Sequence, residues 1–218
     1  MKNKIDELAK QGILNDKNIH QFLKSEFPTR TERLSFIKEC LKKISTRRML
    51  LRAHWYTEIA DDQSSIRESR PALNLIFLMA MAEAIAKKRT NNKNLGSLEA
   101  IKCFFEYISN EDKNFLRRNF RRTLLGAKYH DLRFSSVLRI LYDVRNRAVH
   151  GENYYSFSLL DRKSKLSHKH YSSFSLISSG YLGPSKRKRR VSLDIKLTYE
   201  ELRDVFRRTA LANIKSCF

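Results

Sequence analysis

Glycine, proline and cysteine are all scarce in this chain of 218 residues, which contains six glycines, three prolines and three cysteines. Because glycine and proline are the residues that most weaken helices, their scarcity favours long helices. The cysteines, Cys40, Cys103 and Cys217, are far apart and form no CxxC pair. They therefore predict neither a disulfide framework nor a zinc site, and they fit a reducing compartment such as the cytosol.

Long apolar segments are also missing. The first residues, MKNKIDELAKQG, contain no apolar stretch of the kind that a secretory signal requires. The longest apolar run, ALNLIFLMAMAEAIA, begins at Ala72 and is interrupted by Asn74 and Glu83. It is shorter than the roughly 20 apolar residues of a membrane span. We therefore expect this run to form a buried core helix, and we expect a cytoplasmic protein without a membrane partner.

Acidic residues are too few to balance the basic ones. The chain has 44 Lys and Arg against 23 Asp and Glu, a formal net charge of +21. A charge of this size favours a polyanionic partner, with nucleic acid ahead of an anionic membrane surface, while a generic basic surface is the alternative. Hydrophobic residues at 41% and charged residues at 31% are typical of a globular protein rather than a disordered one.

Apolar residues recur at helical spacing along most of the chain. Pro71 suits the first turn of a helix, and Thr198 with Glu201 three residues later forms a capping box. The run from Pro71 is apolar nearly all round, so other helices should surround it. The predicted helices cover residues 4–11, 16–26, 31–59, 71–88, 98–109, 111–124, 134–149 and 198–214.

Between the last two helices the pattern changes. The segments SFSLL, YSSFSLI and RVSLDIKL alternate polar and apolar residues, which indicates either a small β-hairpin or a loop. The sequence therefore predicts one all-α domain over residues 1–218, a length sufficient for one core. Within it we expect a helical extension at 1–65, a polar and basic insertion at 152–197, and a C-terminal helix at 198–215.

The segment LYDVRNRAVHGENYY, residues 141–155, places Arg145, Asn146, Arg147 and His150 at a predicted helix end before Gly151. A purely structural explanation exists, because cations interact favourably with the carbonyls at a helix C-terminus. Glycine is also the most frequent residue just beyond a helix end.

Other features of the same segment favour a functional site. Arg145 follows Val144 at the edge of the apolar face, where an unpaired charge is costly. We expect Glu83 to pair with Arg145, either as a structural counter-ion, which is the favoured interpretation, or as a positioning group. Arg145 and His150 differ in direction by roughly 140° on a straight helix, whereas Asn146 and His150 share a face. Arg145 and His150 can therefore meet only if the helix ends before His150 or if two copies of it pack together.

The stretch RNRAVHG, residues 145–151, resembles the Arg-x(4–6)-His motif of the HEPN superfamily, in its form with Asn after the Arg. The resemblance covers roughly residues 70–150. It implies an all-α helical bundle with a long apolar helix packed against the motif helix. It also implies a homodimer in which two motifs form one RNA-cleaving cleft. HEPN ribonucleases act in toxin–antitoxin, CRISPR-associated and other antiviral or stress systems, so an antitoxin or regulatory protein is a further expected partner.

The resemblance also implies roles for individual residues. Arg145 would bind the scissile phosphate and stabilise the charge of the transition state. His150 would take the proton of the ribose 2′-OH or deliver one to the 5′-oxygen, and Asn146 would orient the His or the phosphate. Neither a metal nor another cofactor is needed, and the products would end in a 2′,3′-cyclic phosphate. The tyrosine that many toxin members carry two residues after the His is replaced by Glu152. A non-catalytic RNA-binding or regulatory module of the same superfamily is the alternative.

The densest basic run is GPSKRKRRV, residues 183–191. We expect it to contact RNA phosphates, beside aromatic residues of YSSFSLISSGY that suit stacking on bases. A solvated loop and a nuclear localisation signal are the alternatives. RRNFRRT and TRRMLLRAHW place further arginines on predicted helices, where plain surface is favoured. A DNA-binding helical protein is a weaker hypothesis. The predicted RNA-binding residues are Arg147, Lys186, Arg187, Lys188, Arg189 and Arg190.

Overall fold

A computed structural model of the chain describes residues 2–66, 71–124, 130–150, 157, 159, 173–177 and 190–218. The helices in these ranges are α1 Lys2–Asn15, α2 Lys17–Leu23, α3 Arg30–Lys42, α4 Ile44–Ile66, α5 Pro71–Arg89, α6 Ser97–Phe104, α7 Asn110–Asn119, α8 Phe134–Val149 and α9 Tyr199–Lys215. The strands are β1 Phe120–Leu124, β2 His130–Asp131, β3 Ser173–Ile177 and β4 Arg190–Ile195. The structure is therefore mainly helical, as the sequence predicts.

The apolar helix α5 lies at the centre of the helical part. Its residues Leu78, Met79, Ala82 and Ile85 are fully buried. It packs against α4, α6, α8 and α9. A helix that is apolar on all sides has to be covered on all sides, because every face gains free energy by leaving water. The predicted central position of this helix is confirmed.

Local sequence signals also account for α8 and α9. Helix α8 has the predicted bounds and buries Val137, Leu141 and Val144 on one face. Helix α9 begins with the predicted capping box. The Thr198 hydroxyl accepts a hydrogen bond from the Glu201 amide at 3.3 Å, and the Glu201 carboxylate accepts one from the Thr198 amide at 3.0 Å. These contacts satisfy amides at the helix start that have no partner within the helix.

The predicted single helix over 31–59 is wrong. The chain instead forms α3 and α4, and Lys43 between them is extended at φ −120° and ψ 136°. The Thr46 hydroxyl donates to the carbonyl oxygens of Cys40 at 2.7 Å and Lys43 at 2.9 Å, at the end of α3. In the sequence Ile44 continues the apolar spacing of Ile37 and Leu41, yet it is 60% exposed. Apolar periodicity does not detect a helix end that a side-chain hydrogen bond stabilises.

The four strands form an antiparallel sheet in the order β2-β1-β4-β3. Strands β3 and β4 pair with each other in antiparallel orientation, which agrees with the first of the two alternatives for the insertion, a hairpin rather than a loop. The predicted helix over 111–124 is wrong beyond Asn119, because residues 120–124 form β1 and pair with β4. Phe120 and Ile195, which face each other in this pairing, are both buried. A strand partner so distant in the chain cannot be read from the local pattern.

The remaining predicted helices correspond to observed ones with shifted ends. The helices expected at 4–11 and 16–26 are α1 and α2. The helix expected at 98–109 is shorter, since α6 ends at Phe104 and a 3-10 turn, Phe105–Tyr107, follows it. In the described part of the chain, no helix has the length and apolar character required to cross a membrane.

A polar cluster ties the second half of α4 to the start of α9. The Asp61 carboxylate accepts a hydrogen bond from the Tyr199 hydroxyl at 2.8 Å. Arg203 Nη1 donates to both oxygens of Asp61 at 3.1 Å. Burial and the nearby Asp61 charge raise the pKa of Tyr199, so the phenol stays protonated and donates.

We expect Asp61→Asn to lower the free energy of unfolding by about 1–2 kcal/mol, because it weakens the charge-assisted hydrogen bonds from Tyr199 and Arg203. The Asp61 side chain is 40% exposed, so solvent screening limits the loss. Urea denaturation measures the effect. Asp62→Asn is the matched control, since Asp62 is an exposed neighbour on the same helix. Equal destabilisation by both substitutions would contradict the stabilising role assigned to the contacts of Asp61 with Tyr199 and Arg203.

Cys40 offers a probe of the core beneath α3. It is fully buried, and burial raises the pKa of its thiol to about 12. Because the thiolate is the reactive form, the native thiol should be inert near neutral pH. In the variant Cys103→Ser/Cys217→Ser, we expect Ellman's reagent to label Cys40 only after unfolding in urea. Rapid labelling in native buffer would show that the core around Cys40 is open.

Candidate functional site

The C-terminal end of α8 carries the residues that resemble the Arg-x(4–6)-His motif. Arg145, Asn146 and Arg147 lie in its last turns, where Arg147 is half-buried. His150 follows the helix at φ −90° and ψ 7°, and its amide donates to the Asn146 carbonyl at 3.0 Å. The His150 side chain is exposed. The helix thus ends before His150, which is one of the two arrangements that the spacing of the motif requires.

Arg145 points towards α5 and pairs with Glu83, as the sequence predicts. The distance between Arg145 Nη2 and Glu83 Oε1 is 3.2 Å, and the two side chains are 21% and 13% exposed. The second oxygen of Glu83 accepts a hydrogen bond from the Ser97 hydroxyl at 3.0 Å. Ser97 is the first residue of α6. Glu83 of α5 therefore contacts both the start of α6 and the last turns of α8.

Asn146 connects the arginine to the histidine. Its side-chain oxygen accepts a hydrogen bond from Arg145 Nη1 at 2.9 Å, and its backbone carbonyl accepts the His150 amide. Asn146 therefore contacts both of the other predicted catalytic residues. Among the described residues, Arg145 Nε is buried without a hydrogen-bond partner, so the guanidinium uses only part of its donor capacity.

The structure describes only one residue of the basic cluster Lys186–Arg190. Lys186, Arg187, Lys188 and Arg189 lie outside the described residues. Arg190 is the first residue of β4, where its backbone pairs with Ile177 of β3. Helix α7 contacts both α8 and β1, and β1 lies beside β4. The sheet that contains β4, and with it Arg190, is thus linked through α7 to α8.

Sequence patterns predicted the Glu83–Arg145 pair but not the hydrogen bond from Ser97 to Glu83. Ser97 directly precedes the predicted helix at 98–109, a position where serine commonly caps the helix. The observed N-cap is Gly96, and the Ser97 hydroxyl serves Glu83 instead. No local signal distinguishes these two uses of a serine at a helix start. Within the described ranges, no group of three or more His, Cys, Asp or Glu side chains is placed to hold a metal ion.

Comparison of the chain with models of known protein families, with characterised proteins and with solved structures found no match in any of the three. The chemistry of the site has to be inferred from its own residues.

The coupling between Glu83 and Arg145 can be measured with a double-mutant cycle. We expect Glu83→Gln to lower the free energy of unfolding by about 1–3 kcal/mol, because Arg145 is left partly buried without its counter-ion. Glu83→Gln/Arg145→Gln should cost less than the sum of the single changes, with a coupling of about 1–2 kcal/mol in urea denaturation. Glu99→Gln, at an exposed position of α6, is the control. Additive losses would show that the interaction between Glu83 and Arg145 contributes no coupling free energy to stability.

Proposed function

We propose that this chain is a metal-independent endoribonuclease that cleaves single-stranded RNA through the ribose 2′-OH and acts as a homodimer. The observation that supports this most is the set of contacts at the end of α8. Asn146 accepts a hydrogen bond from the Arg145 guanidinium through its side chain and one from the His150 amide through its backbone, so a guanidinium and an exposed imidazole lie at one helix end. The net charge of +21 favours a polyanionic substrate. A toxin, antiviral-defence or stress-response setting follows from the resemblance to HEPN ribonucleases.

The proposed reaction is an internal transfer of the phosphate. His150 takes the proton of the 2′-OH, and the 2′-oxygen attacks phosphorus as the bond from phosphorus to the 5′-oxygen breaks. The leaving 5′-oxygen receives a proton from His150 of the partner subunit, and the product strand ends in a 2′,3′-cyclic phosphate. Arg145 stabilises the charge on the phosphate oxygens. Glu83 and Asn146 restrict its guanidinium, which lowers the entropy lost on binding the phosphate.

The same ion pair also favours a second candidate function. Glu83 neutralises Arg145 and leaves its side chain 21% exposed, which is the arrangement expected of a structural counter-ion. In that case the end of α8 would belong to a non-catalytic RNA-binding or regulatory module. Binding of RNA without cleavage is the behaviour that separates this function from the first.

Cleavage of a labelled single-stranded RNA in EDTA tests the proposal. We expect His150→Gln to reduce the cleavage rate by roughly 10²–10⁴-fold, the range of general acid–base catalysis. Arg145→Lys should also reduce it strongly, because lysine keeps the charge beside Glu83 but lacks the planar fork that grips a phosphate. His20→Gln and Arg133→Ala are the matched controls at sites away from the end of α8, and neither should alter the rate.

The products and the substrate provide further checks on the mechanism. Mass spectrometry should find a 2′,3′-cyclic phosphate, and a substrate with deoxyribose at the cleaved position should resist. Cleavage that survives His150→Gln or requires added metal would rule out the assigned site. RNA that is bound and never cut would favour the non-catalytic module.

A further inference from the structure

The outward face of the first half of α4 combines exposed arginines with an exposed tryptophan. Arg48, Leu51, Arg52 and Trp55 recur at helical spacing and are called the α4 face. Trp55 is 54% exposed and Leu51 is 37% exposed, and both arginines are exposed. The sequence alone favoured plain surface for this segment, but the structure groups these four residues on one side of the helix.

The opposite side of α4 is firmly anchored. Met49, Leu50 and Ala53 are fully buried, and α4 packs along α5. The Trp55 ring lies against Tyr56, with 5.0 Å between the ring centroids, and Tyr56 packs on the hydrophobic core. The α4 face is therefore presented by a rigid helix, and its aromatic ring is supported from one side. A ligand gains more from such a preorganised surface than from a mobile one.

The two arginines of the α4 face carry charge that the described part of the chain does not neutralise. Neither Arg48 nor Arg52 forms an ion pair there, whereas the adjacent Arg47 is bound to Asp6 at 2.6 Å. The acidic residues of α4 begin at Glu58, one turn beyond Trp55. Along α4 from its N-terminus, the positive charges of Arg48 and Arg52 therefore come first, the Trp55 ring comes next, and negative charge begins at Glu58.

This combination fits a phosphate backbone that carries unstacked bases. Lys and Arg side chains neutralise phosphates, and an aromatic ring stacks on any base that is free of a duplex. Arg48 and Trp55 are about 10 Å apart along the helix axis, at a rise of about 1.5 Å per residue. That length corresponds to about three stacked nucleotides at roughly 3.4 Å each. The bases of a duplex present no free faces to the ring.

We propose that the α4 face binds single-stranded nucleic acid, with Arg48 and Arg52 on the phosphates and Trp55 stacked on a base. The surface is separate from the motif on α8, and its function does not require that His150 cleaves RNA. If the strand is the RNA of the proposed nuclease, the α4 face is a second contact that lengthens the bound segment.

The chain contains one tryptophan, so its fluorescence reports on Trp55 alone. The His150→Gln variant of the 218-residue chain, which should cleave RNA far more slowly, is titrated with single-stranded oligouridylate, and separately with the DNA oligonucleotide of the same length. We expect the strand to quench Trp55 and to shield it from acrylamide. A response to both the RNA and the DNA oligonucleotide indicates binding through the phosphates and bases that they share. A response to only one of them shows whether the ligand is RNA or DNA. Duplex RNA of the same length should leave Trp55 accessible to acrylamide.

Substitutions in the same background measure the contribution of each group. Trp55→Ala should raise the Kd for the strand by roughly 5- to 150-fold, and Trp55→Phe should raise it less, because phenylalanine still stacks. Arg48→Ala/Arg52→Ala should lower the slope of log K against log salt by about 1.4, since two phosphate contacts are lost. Ile66→Ala, at the other end of α4, is the control for Trp55. Arg30→Ala/Lys93→Ala removes equal charge elsewhere and should weaken binding less than the α4 pair does.

Several outcomes would overturn the proposal. Unchanged Trp55 fluorescence at saturating RNA and DNA would place binding elsewhere, as would an unchanged Kd in Trp55→Ala. Ile44, Leu51 and Trp55 also suit a lipid surface or a second copy of the chain. A blue shift with phosphatidylserine vesicles but no response to oligonucleotides would assign the α4 face to a membrane. Dissociation of a dimer by Trp55→Ala in sedimentation would assign it to self-association. If the unsubstituted chain binds RNA at the α4 face and does not cleave it, the result counts against the proposed nuclease activity and not against the α4 face.

Discussion

The apolar surface of α5 has to be kept from water on every side, and α4, α6, α8 and α9 do so. This constraint explains why a single carboxylate on α5 has such wide consequences. Glu83 sits on a helix surrounded by other helices, and a buried charge is costly unless it is paired and hydrogen-bonded. Arg145 from α8 forms an ion pair with it, and the Ser97 hydroxyl from α6 donates a hydrogen bond to one of its oxygens. Burial of an apolar helix thus determines where the motif helix lies and which way its arginine points.

The Glu83–Arg145 pair has two physical effects that work in opposite directions for a nuclease. It restricts the guanidinium and so prepares it for a phosphate, but it also offsets part of the positive charge that attracts one. His150 is free of this conflict, because it lies beyond the helix end and is exposed. In the proposed nuclease, the His150 imidazole would therefore be available to an RNA strand, whereas the Arg145 guanidinium would serve both the fold and the substrate.

Elements with strong local signals were predicted well. The apolar periodicity of α8 indicated its bounds, and the capping box at Thr198 indicated the start of α9. The pairing of Glu83 with Arg145 was also predictable, because a carboxylate in an apolar helix and an arginine beside an apolar face each require a partner. The break after Lys42 and the strand β1 were missed. The break depends on hydrogen bonds from the Thr46 hydroxyl, and β1 depends on β4, which lies far along the chain.

The sequence by itself determined the net charge, the residues of the motif and the end of α8 before His150. These properties depend on composition or on hydrogen bonds between residues at most four apart, so the local pattern contains them. Only the tertiary structure decided that β1 pairs with β4 in the sheet, that Ser97 contacts Glu83 and that Trp55 is exposed. A strand needs a partner from elsewhere, and the exposure of a helix face depends on which other elements pack against it.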